Sequence, residues 1–313
     1  RALRTGNLTI LTNAVAFNIE RKDGRAVAVR YYDPHGVEQR VEGDLIVLSA
    51  YSLENARLLL LSGINANGCV GKHYMTHNYG WMNALIKDER TNIFAGPAVS
   101  GHAFDDCNGF AVDRGKHQFL QGSPIMFFGG DIQAIEGVSN IPPDVPSWGQ
   151  GYKDWIRENF SHVIGMYTQT ASLPHEGSFV DLDPDVRDAF GLPALRITHD
   201  WTENEISAVR WLNEKKTTVF RAMGAEVMWS APEAPPYHVS THEVGITRMG
   251  DDPKRSVVNR YGQSHEVSNL FVLGGGAFPT YGSYNPTETI QALTFMSTDH
   301  ILRETRAGGE LTH

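Results

Sequence analysis

Three consecutive glycines, Gly274–Gly276, follow the apolar run Leu270–Leu273 without a break. Asn285-Pro286-Thr287-Glu288 then reads as a helix opening, with Asn at the cap, Pro at the first helical position and Glu two places on. A strand, a glycine turn and a helix start leave free backbone N–H groups at one corner, which suits an anionic ligand. Upstream, His242 stands beside the loop Gly245-Ile246-Thr247-Arg248-Met249-Gly250. His242 and Asn285 are the candidate acid–base pair of the stretch 238–293. The plainer alternatives are a histidine satisfied by its own loop and an asparagine that only caps a helix. Arg248 reads as a structural pairing within its loop, with a substrate clamp as the alternative.

The rest of the chain alternates between two characters. Residues 7–19 have strand composition, Asp23-Gly24 is a turn signal, 26–32 alternates, and Asp33-Pro34-His35-Gly36 is a tight turn before 37–41. An antiparallel meander is expected there. Residues 44–50 (DLIVLSA) form a continuous apolar run, the signature of a strand buried on both faces. Ser52 is expected to cap a helix that Gly63 ends, with Leu58, Leu59 and Leu61 on its packed face. From residue 78 to 235 short strand-like runs (81–86, 119–128 and 162–172) are broken by Gly and Pro, predicting a sheet with long loops. Thr202-Glu203-Asn204-Glu205 is a capping box for a helix stopped by Gly224, with Ile206, Val209, Val219, Phe220 and Met223 inward.

The 313 residues, 41% hydrophobic, can bury a core in two domains. A net charge of −9 with no basic stripe excludes a nucleic-acid-binding role, and no apolar run is long enough to span a membrane. Cys69 and Cys107 form no CxxC pair and no Cys/His cluster, so no metal site is expected. A disulfide between them stays open. No Gly-x-Gly-x-x-Gly follows a strand.

The C-terminal stretch resembles the signature of the glucose–methanol–choline (GMC) family of FAD-dependent oxidoreductases. That family pairs a His before a Gly…Met-Gly loop with a His or Asn before a final helix, here His242 and Asn285. Residues 44–63, with ARLLLLSG, resemble a second family signature in the FAD domain. Val70-Gly71-Lys72-His73-Tyr74-Met75-Thr76-His77 resembles a loop beside the flavin, which leaves His73 and His77 either near the flavin or on the surface. Leu182-Asp183-Pro184-Asp185, Asp188–Pro193 and Leu195–Trp201 resemble the branch of gluconate and fructose dehydrogenases.

The resemblance implies a mixed α/β, α+β fold. An FAD-binding domain would comprise residues 1–75 and 235–313, lacking the family's N-terminal glycine-rich motif, with a β-sheet substrate domain over 76–234. It implies FAD as cofactor, contacted by Val15, Ala50, Gly275, Gly276, Ala277, Asn285, Pro286 and Thr287. His242 would be the base, Asn285 would hold the substrate oxygen, and hydride would pass to flavin N5. The helix opened by Pro286 would favour reduced anionic flavin by about 0.5–1 kcal/mol. A sugar or sugar acid is the implied substrate. The implied partners are the N-terminal half of the same protein, a small subunit and a cytochrome c, at the periplasmic face of the inner membrane. Alone, the chain is expected to bind FAD weakly or not at all. A pyranose-oxidase-like or glycoside-oxidising enzyme using oxygen is one alternative, and a non-catalytic carbohydrate-binding fragment is another.

Overall fold

A computed structural model of the chain describes residues 1–91, 101–109, 112–113, 115–128, 141–235 and 240–306. His238, at the start of the C-terminal stretch, lies outside the described residues. Helices and sheets are mixed, an α+β arrangement as expected. β1 (Val15–Lys22) and β2 (Arg25–Tyr32) form a hairpin on Asp23 and Gly24, both left-handed with φ of 51° and 75°. Positive φ at both central residues matches the right-handed twist of the strands. β3 (Glu38–Glu42) returns antiparallel to complete the meander. Its turn is closed by Asp33 Oδ1, which accepts from the N–H of His35 and of Val37 at 2.9 Å each. Residues 7–14 are not strand, although they were expected to be; Leu8, Ile10 and Leu11 are exposed. Strand composition needs a partner edge, and among the described residues none pairs with them.

β4 (Ile46–Leu48) is shorter than the apolar run and pairs in parallel with the strand Leu270–Val272. The two-sided burial expected for it is not found: Ile46 and Leu48 are buried but Val47 is 43% exposed. Successive side chains point to opposite faces, and the following helix covers one of them. That helix, α1 (Ser52–Leu61), starts one residue earlier than a Ser52 cap requires. The cap position is Tyr51, at φ 73°, and Ser52 is already helical. Gly63 ends the helix at φ 65°, as expected. Leu58 and Leu59 are buried in a core with Ile19, Ile46, Leu48, Val180, Ile246, Val258, Leu270 and Val272.

Next come β5 (Tyr79–Leu85), β6 (Ala103–Phe104), β7 (Ile125–Phe128), α2 (Gly149–Asn159) and β8 (Val163–Gln169). The hairpin β9 (Phe179–Arg187) with β10 (Pro193–Thr198) packs on α1, where Arg57 pairs with Asp188 at 2.5 Å. α3 (Glu203–Ala222) carries the predicted capping box between Thr202 and Glu205. β11 (Val227–Ser230) completes a five-stranded antiparallel sheet in the order β11-β5-β8-β7-β6. α3 lies on that sheet and closes a second core of Met82, Ala84, Ile125, Met166, Leu212 and Phe220. Val209 and Phe220 face inward as expected, whereas Met223, past the end of the helix, is 37% exposed. The chain then passes through β12 (Leu270–Val272) to α4 (Thr287–Arg306). Cys69 and Cys107 are free thiols, one packed against each core.

Lys216 on α3 is fully buried, and its Nζ donates to the Gly80 carbonyl. Burial pushes its pKa down to about 7. Between about pH 7 and the ordinary lysine value the unfolded chain binds a proton that the folded one has released, so this group's contribution to stability rises with pH. Lys216→Met removes that term. Its urea midpoint should exceed the wild-type midpoint by more at pH 7 than at pH 9.5. A difference that does not change with pH would show that Lys216 stays charged when buried.

Candidate active site

Two backbone hydrogen bonds locate the site. Met75 N–H donates to Val244 O and Val244 N–H to Met75 O, each at 3.0 Å. Gly71 N–H donates to Ile246 O at 2.7 Å, so residues 71–77 and 242–246 run antiparallel side by side. Gly245 makes this approach possible: its φ is 94°, and a Cβ there would lie 2.2 Å from His73 O. Two residues beyond the Met75–Val244 pair, on the same face of the ribbon, stand His77 and His242. On its other side the same segment holds the glycine turn. Thr247 N–H donates to Gly276 O at 2.9 Å and Met249 N–H to Ala277 O at 2.8 Å.

The side chains form a continuous polar series. His242 Nδ1 lies 3.0 Å from His77 Nδ1 and 3.2 Å from the Tyr79 hydroxyl. His77 Nε2 lies 2.9 Å from the Gly282 carbonyl, and its Nδ1 is 3.1 Å from Gln169 Oε1. Gln169 Nε2 in turn lies 2.7 Å from Asn285 Oδ1. The two sequence candidates, His242 and Asn285, are therefore joined through His77 and Gln169. Tyr281 stacks on the His77 ring, centroids 4.1 Å apart and planes 8° apart.

Burial dominates the electrostatics. It pushes His77 down to about 4 against the opposing bond to Gly282, and it lowers the half-buried His242 as well. Both imidazoles are neutral at pH 7. Burial also pushes the neighbouring Glu243 up to about 7, and it raises Tyr79 and Tyr281. A neutral imidazole in surroundings poor in charge is equipped to accept a proton.

Gly275, Gly276 and Ala277 are buried in a short 3-10 turn after Gly274, whose φ is 122°. Their smallness serves this chain's own packing. A Cβ on Gly276 would lie 2.4 Å from Thr247 Oγ1, and one on Gly275 would lie 3.1 Å from Val244 Cγ1. Ala50 is brought to the same corner. Its N–H donates to Asn55 Oδ1 at 2.9 Å, and Asn55 Nδ2 donates to Leu273 O at 2.9 Å. Asn55 thus ties the carboxyl ends of β4 and β12 together, the end at which parallel sheets take ligands. Pro286 and Thr287 open α4, where Ile290 N–H bonds back to Pro286 O at 2.9 Å. A cleft of about 380 Å³ runs alongside, lined by Met249, Tyr281, Asn285, Pro286 and Thr289 among others. Val15 stays apart, opening β1 opposite Tyr32. Arg248 braces its loop, with Nε donating to Arg255 O at 3.0 Å.

Gln169, Tyr79 and Asn55 were not singled out from the sequence. The signal for Gln169 is Thr168-Gln169-Thr170, three polar residues in a strand-like run, all of them fully buried. His77, left between flavin and surface by the sequence, is fully buried at the centre of the series.

Sequence models of GMC oxidoreductases match residues 1–79 and 174–294. The gluconate 2-dehydrogenase flavoprotein of Pantoea cypripedii is 34% identical over 294 residues, covering 90% of this chain and 48% of that protein. The 2-methyl-1,2-propanediol dehydrogenase of Mycolicibacterium austroafricanum is 30% identical, covering 93% of this chain and 54% of that protein. A solved structure of Aspergillus oryzae RIB40 formate oxidase, studied for its FAD modification, superposes with a TM-score of 0.68. That match is 15% identical and covers 96% of this chain and 62% of that one, a likeness of fold. The chain spans about half the length of the curated relatives it matches.

The close approach of Gly276 to Thr247 has a direct test. Gly276→Ala should cost about 1–3 kcal/mol, the usual range for overpacking. Adding Thr247→Ala, which removes the clashing Oγ1, should recover part of that loss. Thermal unfolding of both variants checks this; equal losses in the single and the double variant would refute it.

Proposed function

The chain belongs to the GMC oxidoreductase family, and on that premise we propose that it supplies the substrate-side machinery of an FAD-dependent dehydrogenase. The substrate class is a sugar or sugar acid, oxidised at one CH–OH group. The observation that carries this reading is the series His242–His77–Gln169–Asn285, which joins the two candidates through hydrogen-bonding distances of 2.7–3.1 Å.

FAD is the family's cofactor, and the corner fits it. The cleft has apolar walls and lies beside the N-terminus of α4, whose first backbone N–H groups have no partner within the helix. The carboxyl ends of β4 and β12 meet on the adjoining side, at Ala50 and Gly274. Gly275, Gly276, Ala277, Asn285, Pro286, Thr287 and Ala50 are the residues proposed to hold FAD, with Val15 a more distant contact from β1. Bound there, FAD supplies the hydride acceptor.

The chain's own residues handle the proton. His242, neutral at pH 7, takes it from the substrate hydroxyl. Asn285 keeps an N–H for the same oxygen and stabilises the charge that develops on it. Residues 1–75 and 235–313 serve the cofactor in this reading, and the sheet within 76–234 faces the substrate. In this reading the electrons pass to a quinone or cytochrome-type acceptor, with a small subunit and a cytochrome c as partners; the likeness to a gluconate 2-dehydrogenase flavoprotein supports a dehydrogenase. It equally supports a larger protein whose N-terminal part completes the FAD site.

In the whole protein, His242→Ala should slow anaerobic flavin reduction by about 10²–10⁴-fold. Asn285→Ala should slow it by about 10–10³-fold. Both variants should retain FAD in their visible spectra. Near-wild-type reduction in His242→Ala would place the base elsewhere. Dye or quinone acceptors should reoxidise the flavin much faster than oxygen does; equal rates at air saturation would make the protein an oxidase.

A further inference from the structure

The Gly282 carbonyl lies 2.9 Å from His77 Nε2. A backbone carbonyl only accepts, so Nε2 carries a proton and donates it. His77 is fully buried and neutral, which leaves a lone pair on its Nδ1. His242 Nδ1 lies 3.0 Å from that lone pair. Two bare ring nitrogens at this distance would repel, so His242 Nδ1 carries a proton and points it at His77. His242 is neutral too, so its other nitrogen, Nε2, is left without a proton.

The neighbours agree with this assignment. The Tyr79 oxygen, 3.2 Å from His242 Nδ1, is placed to accept a share of the same N–H, and it also bonds Ser240. Ser240 Oγ also accepts the backbone N–H of His242 at 3.0 Å. The Gln169 amide can present either end to His77, whereas the Gly282 carbonyl cannot, so the carbonyl decides and the amide turns its N–H₂ to His77 Nδ1. Asn285 retains an N–H for a ligand in either orientation of the two amides.

We propose that His77 is a positioning residue that fixes the tautomer of His242, holding the proton on Nδ1 so that Nε2 is the basic atom offered to the substrate hydroxyl. The order of command runs from the Gly282 carbonyl through His77 to His242. This rests on the reading of His242 as the base. An imidazole without such a partner distributes its proton between both nitrogens, and only the form bare at the reacting nitrogen can accept the substrate's proton.

The test uses the full-length FAD-containing protein with ¹⁵N-labelled histidine. Ring-nitrogen spectra, assigned by loss of signal in His242→Ala, should show Nδ1 protonated and Nε2 bare for His242. His77→Leu should shift His242 toward the opposite tautomer. It should also slow flavin reduction by at least about 10-fold, the lower end for loss of a histidine's orienting partner, and by up to about 10⁴-fold if the wrong tautomer dominates, with little change in substrate dissociation constant. His77→Asn, which places an oxygen acceptor where Nδ1 stood, should restore the wild-type tautomer and most of the rate. A wild-type His242 protonated on Nε2 would overturn the proposal, as would an unchanged tautomer in His77→Leu. If His77→Leu does not fold, the wild-type spectrum and His77→Asn still decide. Normal flavin reduction in His242→Ala would sink the base reading alone and leave the tautomer result standing.

Discussion

The reciprocal pair of hydrogen bonds between Met75 and Val244 fixes the rest of the site. It aligns a loop that leads into the five-stranded sheet with a segment that cradles the glycine turn. Once that pair is made, the pleat places His77 opposite His242. Gly245 is required there because its φ of 94° and the nearby His73 carbonyl leave no room for a side chain. The register allows no gradual adjustment: a slip by one residue would turn His242 to the other face.

The site lies between two clusters. His242 and Asn285 flank a small cluster of Met75, Val244, Phe278 and Tyr281, while Gln169 and Tyr79 stand on strands of the core under α3. The polar series therefore bridges two independently packed bodies of side chains, and its geometry depends on how firmly each is held. Burial does the electrostatic work. It keeps both histidines neutral and raises Glu243 to about 7. Charge created during a reaction would then meet oriented dipoles, which is where hydrogen-bond donors count most.

Local chemistry was legible in the sequence. The Asp23-Gly24 hairpin, the Thr202/Glu205 capping box and the Gly63 helix stop depend on a few adjacent residues, and the structure has each of them. His242 and Asn285 stood out through their motif context, and the structure joins them in one polar series. What depended on distant partners was not. Residues 44–50 read as a fully buried strand, yet burial of Val47 depends on what lies against it, which no local pattern records. Gly275 and Gly276 suggested an approach to a cofactor, while their nearest constraint is Val244 and Thr247 of the same chain. Gln169 and Asn55 act across 116 and 218 residues of sequence, to Asn285 and Leu273, and nothing near them announces it. His77 was visible as a loop residue, but its depth follows from the ribbon with Val244.

The central claim is that His242 and Asn285 work on one substrate oxygen as a single linked unit. A double-mutant cycle tests it most directly. Anaerobic stopped-flow flavin reduction would be measured for His242→Ala, Asn285→Ala and the double variant, all with intact FAD. The account predicts that the double variant loses clearly less than the product of the two single losses. Losses that multiply in full would mean that the two residues act independently, and would contradict it.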